Sequence, residues 1–261
     1  MSGRFPDKAA ARRHVWERLE REGAARPPLP AHGRIPNFDG ADTAARRLFT
    51  LAPWRDAGRI KVNPDTAQFH VRLEALRRGI EVYVATPRLA AGFRRIDPAR
   101  IPAERLAEAA DRRTWDAWSA EVDLGALPQM DAIVCGSVAV GPDGGRAGKG
   151  AGYSDLEFAI LMELGQRPVP VATTVHDLQV VEAFPTEDID QRLSAIVTPT
   201  RAMEVSATAV QPACIDWQRL TEADIAAMPV VAALRERPSG GVPSRRRPDR
   251  PSTSPMPPGR R

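Results

Sequence analysis

Residues Asp131–Met162 read DAIVCGSVAVGPDGGRAGKGAGYSDLEFAILM. Asp131–Val140 is an apolar run of buried-strand length. Pro142-Asp143-Gly144-Gly145 marks a sharp turn. From Arg146 to Gly152 glycine alternates with other residues, two of them the cations Arg146 and Lys149. Tyr153-Ser154-Asp155 then opens an apolar helix. Glycine lets backbone N–H groups come close to an anion. The helix that follows points the positive end of its dipole at the same place. Strand, glycine loop and helix in that order predict an anion site suited to phosphate.

The same alternation of strands and helices extends to both sides. Asp7–Glu22 predicts a helix capped by Asp7, with Ala10, His14, Val15 and Leu19 at helical spacing. Gly23–Gly40 reads as irregular chain, and Ala41–Leu51 as a short helix. Arg59–Asn63 and Ile80–Thr86 are strand-like and each stops at proline, with a helix at Thr66–Arg78 between them that ends at Gly79. Pro102–Ala120 reads as mainly helical. Beyond the loop, Val169–Val175 and Ala195–Thr198 read as strands, Met203–Val210 as an edge strand, and Thr221–Met228 as a helix capped by Thr221. This pattern predicts an α/β domain with a largely parallel sheet over residues 1–236, with no linker dividing it.

Hydrophobic residues make up 43% of the chain, enough for a core. No apolar run approaches the ~18 residues of a membrane span, and no signal core precedes the first charges, so a cytoplasmic protein is the expectation. Cys135 and Cys214 are too few for a disulfide framework, and Cys135 reads as a small core residue. The pI of 9.6 is misleading about the body of the chain. Residues 237–261 hold seven arginines and one aspartate, a net +6; the whole chain is +4, which leaves −2 for residues 1–236. That Arg/Pro-rich tail holds almost no large apolar groups and reads as disordered. Weak, salt-sensitive attraction to nucleic acid through it is the alternative reading.

Spacing excludes two common phosphate loops. The P-loop needs four residues between its glycines and a hydroxyl after its lysine. Gly144 and Gly148 have three between them, and Gly150 follows Lys149. The dinucleotide fingerprint needs a strand ending in its first glycine, and here the turn intervenes. What remains, G-x-R-x-G-K-G-x-G-Y-x-D over Gly144–Asp155, resembles the signature of the 5-formyltetrahydrofolate cyclo-ligase (methenyltetrahydrofolate synthetase) family. Lys8 and Arg12 match that family's K-x-x-x-R helix, and Thr86-Pro87-Arg88 its strand ending in Pro-Arg. Val169–Val175 with Phe184-Pro185 resembles a later strand and V-P element. TTVHDLQVV and IVTPTR are most similar to the divergent methenyltetrahydrofolate synthase domain-containing branch.

The resemblance spans roughly Lys8–Thr200 and implies a single three-layer α/β domain of the NagB/RpiA/CoA-transferase-like type. It implies ATP-dependent ring closure of a reduced folate, with ATP and Mg2+ as cofactors. ATP would meet Lys8, Arg12, Gly144, Arg146, Gly148, Lys149, Gly150, Gly152 and Tyr153. Arg146 and Lys149 would act on the transferred phosphoryl group, and Asp155 would hold the metal. An ATP-binding relative without folate turnover, acting with RNA or another partner, is the alternative. His176-Asp177 reads either as an acid–base pair or as a structural contact. Three positions depart from the family. Ser154 replaces a second tyrosine, Gly40 falls where Asp39–Thr43 matches D-E-x-x-T, whose glutamate contacts folate, and Ser194 falls where a second aspartate follows Asp190.

Overall fold

The computed structural model describes residues 5–86, 89–90, 92–205 and 214–236. Pro87-Arg88, the Ser206–Val210 part of the expected edge strand and the tail 237–261 lie outside the described residues. Eight strands form one sheet: β1 (Arg59–Val62), β2 (Glu81–Ala85), β3 (Phe93–Ile96), β4 (Ser119–Val122), β5 (Ala132–Cys135), β6 (Val171–Thr174), β7 (Ala195–Val197) and β8 (Ala202–Glu204). Their order is β8-β7-β6-β5-β1-β2-β3-β4. The five central strands, β7 to β2, are mutually parallel. Antiparallel strands close both edges. The chain steps outward from β1 to β2, then returns to β5 on the other side of β1 and steps outward again. The reversal between β1 and β5 is the kind of switch point at which open α/β sheets bind ligands, beyond the C-terminal ends of their strands.

Helices cover both faces. α2 (Ala41–Leu48), α3 (Phe69–Arg77) and α4 (Leu106–Ala110) pack through Leu48, Val71, Leu76 and Ala109 onto Val62, Val82, Ala132 and Val134. On the opposite face α5 (Tyr153–Glu163), α6 (Glu222–Ala227) and α7 (Pro229–Glu236) pack through Phe158, Leu161, Ile225 and Val231 onto Ile133, Cys135, Val171 and Ile196. The period-2 alternation of β5 sends Ala132 and Val134 to one layer and Ile133 and Cys135 to the other. Both layers are thus served by an apolar strand without polar gaps. Phe158, Ile160 and Leu161 are at most 1% exposed, and each such burial stabilises by about 1.5–3 kcal/mol. α1 (Lys8–Arg21), capped by Asp7 through the Ala10 N–H at 2.7 Å, lies at the end of the sheet against Val138, Ala139 and Phe184. None of the described helices is long and apolar enough to cross a membrane.

Three expectations are corrected. The run Asp131–Val140 is not one strand. It breaks after β5, and Ala139–Val140 pairs antiparallel with Arg146–Ala147 in a separate ribbon around the Pro142–Gly145 turn. At the break, a Cβ on Gly136 would lie 2.9 Å from Gln68 Oε1 and 3.0 Å from Asp65 Oδ2. Pro102–Ala120 is broken as well, since Asp111 turns its carboxylate onto the Arg113 N–H (2.9 Å) and ends α4. Its last residues enter β4, and β3 was not foreseen at all. β3 (FRRI) is paired on both sides and β4 (SAEV) is the edge strand; neither has an apolar alternation in its sequence. Lastly, Ala25–Arg26 and Asn37–Phe38 form a short antiparallel pair inside the stretch expected to be irregular.

Candidate active site

The glycine loop lies where β5, the 139–147 ribbon and α5 meet. Gly150 and Gly152 hold φ of 107° and 71°, in the left-handed region that favours glycine. Gly152 caps α5 with no side-chain bond, so the first amides of α5 are not taken by the cap residue's side chain. The loop borders a cleft of about 460 Å³. Lys8, Arg12, Arg146, Gly148, Gly150, Gly152, Tyr153 and Asp155 all line it, joined by Asp190, Arg219, Cys214 and Ile215. Residues from opposite ends of the expected set, Lys8 and Asp155, are therefore brought to one place.

Lys8 and Arg12 share one face of α1, a turn apart. Lys8 pairs with Asp190, whose other oxygen accepts the Glu187 N–H at 2.6 Å. Arg12 Nε donates to the Gly148 carbonyl at 2.8 Å and so ties α1 to the loop. Burial pushes the Arg12 guanidinium below its ordinary pKa; Asp7 opposes this and Arg146 adds to it. Arg146 is 3% exposed, so it is no solvated turn residue. One arm pairs with Asp155 and the other donates to the Gly136 carbonyl at 3.3 Å. Burial alone would lower its pKa, but Asp155, Cys135 and Asp190 outweigh that and raise it. Asp155 Oδ1 also accepts the Gln191 N–H at 3.0 Å. Lys8 and Arg146 are thus held by carboxylates and Arg12 by a loop carbonyl, and an incoming polyanion would find the charges already positioned.

Two expected residues stand apart. Gly144 does not line the cleft. It sits in the ribbon's turn with φ 81°, where a Cβ would meet the Leu193 carbonyl at 2.7 Å, so its role there is conformational. Lys149 points to the other side of the loop, half-exposed and 4.0 Å from Asp65 Oδ1, beside a smaller recess of about 40 Å³. Tyr153 and Asp155 border both spaces.

The positions of departure also resolve. Gly40 lines neither space. It begins α2 with φ 75°, and a Cβ would lie 2.8 Å from Pro199 Cγ. The conformation and the contact explain the glycine, and its missing side chain empties no pocket. Ser194 holds register instead of facing the cleft: its Oγ accepts the Val171 N–H at 3.2 Å. Ser154 accepts from Asn63 Nδ2 at 3.2 Å. His176 caps a short turn by accepting the Leu178 N–H at Nδ1, and Asp177 accepts from Thr198 and Thr200 at 2.8 and 2.6 Å. That pair is structural.

Sequence reasoning missed a buried polar group at the end of β1. Lys61 pairs with Glu157 of α5 and donates to Asn63 Oδ1 at 2.6 Å. Arg72, fully buried, donates to the carbonyls of Asn63, Asp65 and Ala110, and burial brings its pKa down to about 10. The polar run Asn63-Pro64-Asp65 directly after an apolar strand was the available signal.

A bound magnesium would have few ligands here. Among the described residues no three His, Cys, Asp or Glu side chains form a metal-holding group. Asp155 and Asp190 border the cleft, and both bonds to Asp155 use Oδ1, leaving Oδ2 to a ligand. Two carboxylates fit Mg2+ carried in by phosphates, which keeps few protein ligands, and do not fit an all-protein cage.

Fold and site together define an α/β protein with a cationic, glycine-lined cleft beside the C-terminal edge of a parallel sheet. The chain belongs to the 5-formyltetrahydrofolate cyclo-ligase family, whose model matches residues 5–199. It is 38% identical over 237 residues to the methenyltetrahydrofolate synthase domain-containing protein of Mus musculus, covering 88% of this chain and 63% of that one. The Bos taurus protein of that name is 36% identical over 236 residues, with 88% and 62% covered. The chain therefore spans about three fifths of the length of these relatives. The Escherichia coli K12 5-formyltetrahydrofolate cyclo-ligase is 34% identical over 82 residues, 31% of this chain and 43% of that one. The solution structure of Aquifex aeolicus 5,10-methenyltetrahydrofolate synthetase superimposes with a TM-score of 0.49 at 15% identity, covering 78% and 95% of the two chains.

Proposed function

We propose that residues 1–236 catalyse the ATP-dependent ring closure of 5-formyltetrahydrofolate to 5,10-methenyltetrahydrofolate. The formyl oxygen takes the γ-phosphoryl group and ADP leaves. The folate N10 then attacks the activated carbon, loses its proton, and phosphate departs with the former formyl oxygen. Phosphoryl transfer asks a protein mainly for positioning and charge neutralisation. The observation that carries the reading is Arg146, a buried guanidinium fixed between Asp155 and the Gly136 carbonyl at the edge of the loop. Its fork suits the equatorial oxygens of a phosphoryl group. Lys8 and Arg12 would bind the phosphate chain from α1, and the amides of Gly148–Gly152 would cradle it. Lys149 is the second cation assigned to the loop, and Tyr153 the ring beside the nucleotide. Asp155, with Asp190, would hold Mg2+, which when bound offsets phosphate charge.

The test is the absorbance of methenyltetrahydrofolate formed by the purified chain with ATP, Mg2+ and 5-formyltetrahydrofolate. Arg146→Lys keeps the charge and loses the fork; it is expected to lower kcat about 100-fold or more, with melting temperature measured alongside. Folded wild-type protein that makes no methenyl product would overturn the reaction. ATP binding without turnover would leave a nucleotide-binding relative of the family.

A further inference from the structure

The large cleft is not built only from residues 5–199, the span of the family match. Ile215, Arg219, Leu220 and Met228 line it too, from a segment beyond that span. The backbone of this segment is fixed. Ile215 and Met228 are buried in the same core layer as α5, and Trp217 and Leu220 pack against that layer. Asp216 caps the short turn Trp217–Arg219 by accepting the Gln218 N–H at 3.2 Å. The Arg219 side chain, by contrast, is half in solvent. Its guanidinium meets Glu187 at 2.7 Å, with both side chains 53% exposed, and Asp216 of its own turn at 3.3 Å. Glu187 belongs to the turn that presents Asp190: its N–H donates to Asp190 Oδ2 at 2.6 Å, and Asp190 is the partner of Lys8. Glu187 first, then Asp216 and Asp190, raise the Arg219 pKa, so its charge lies in the field of the Lys8–Asp190 pair.

The cations of the cleft thus differ in what holds them. Arg146 is buried and its position is set by Asp155 and the Gly136 carbonyl. Arg219 is held by a solvated carboxylate, and exposed ion pairs of this kind contribute little to stability. A guanidinium fork fits phosphate as it fits carboxylate, and a polyphosphate brings several charges against the one of Glu187. We propose that Arg219 is a polyphosphate-binding residue of this cleft, held by Glu187 until the ligand arrives and exchanging that carboxylate for a phosphate oxygen. The segment beyond residue 199 thereby supplies a cation to a site whose other cations, Lys8, Arg12 and Arg146, all lie within the family span. This inference rests on the nucleotide half of the ring-closure reading and is independent of the folate.

The experiment is a double-mutant cycle on the full chain with Arg219→Gln, Glu187→Gln and the double variant. Both side chains are half-exposed, so melting temperatures should stay close to the wild type. Calorimetric titration uses two probes in the presence of magnesium, ATP and inorganic tripolyphosphate. Arg219→Gln should weaken both probes about tenfold, the worth of one charge-assisted hydrogen bond. Glu187→Gln should tighten both about threefold, because an exposed ion pair no longer has to be broken. In the Arg219→Gln background that gain should vanish. Unchanged affinity in Arg219→Gln overturns the proposal. So does an equal gain from Glu187→Gln in both backgrounds, which is a general charge effect and no exchange. A wild type that binds neither probe overturns it together with the nucleotide half of the proposed function. If the cycle behaves as expected and no methenyl product forms, the ring-closure reading falls and the role of Arg219 stands.

Discussion

Removing one partner of the Lys61–Glu157 pair should be far more harmful than removing both. The two side chains are 1% and 6% exposed and join β1 to α5 across the sheet–helix interface. Lys61→Met leaves a carboxylate in an apolar layer and takes the donor from Asn63 Oδ1. Glu157→Leu leaves an ammonium there. Breaking a buried pair in this way costs about 3–5 kcal/mol. That is a large share of the 5–15 kcal/mol by which a typical domain is stable. The double variant Lys61→Met/Glu157→Leu leaves no charge behind. Replacing a buried pair by packed apolar residues is neutral or stabilising by about 1–4 kcal/mol, offset by about 1–3 kcal/mol for the Asn63 oxygen left without its donor. The double variant should therefore lie near the wild type, and the coupling between the two sites should reach several kcal/mol. Urea unfolding of the four proteins, followed by tryptophan fluorescence, measures it. A double variant as unstable as the sum of the singles, or singles within about 1 kcal/mol of wild type, would refute the reasoning.

Two further outcomes are expected. Gly152→Ala should cost about 1–2 kcal/mol, the penalty of a left-handed residue in open space. Gly40→Ala should cost clearly more, because Pro199 must also move, which adds about 1–3 kcal/mol; equal midpoints in urea would contradict the contact. Burial holds the His176 pKa below its ordinary 6.5, so the unfolded chain binds the proton more readily. Its stabilising contribution is present above about pH 6.5 and is lost as pH falls below that, when Nδ1 can no longer accept the Leu178 N–H. His176→Asn keeps an acceptor at the cap without titrating. It should flatten the decline in stability between pH 7 and pH 5, with His70, shifted the same way by burial, giving the remainder. An unchanged slope would count against the cap.

The loop, α5 and the Lys8–Arg12 face were legible because their signals are local. Glycine alternation, a cap and a four-residue spacing each act within a turn or two of chain. The break after β5 was not, since Gly136 interrupts an apolar run whose residues all remain buried. What decides that break is Gln68, brought there from another strand-to-helix connection. Lys61 was hidden for a similar reason: in RIKVN it alternates like a solvent-facing residue, and only the placement of Glu157 on α5 makes the position internal. β3 and β4 escaped because their apolar residues do not recur with period two: β3 buries only Phe93 and Ile96, with Arg94 and Arg95 between them, and the edge strand β4 buries no residue.

The two cysteines have a practical consequence. Cys135 is sealed inside β5, and burial pushes its thiol pKa up, which keeps the reactive thiolate scarce. Cys214 is exposed on the wall of the large cleft. The native chain therefore carries a single accessible attachment point for a maleimide dye, and that point lies beside the space a ligand would fill. Occupancy of the cleft can be followed by fluorescence on the natural sequence, without engineering a residue into it.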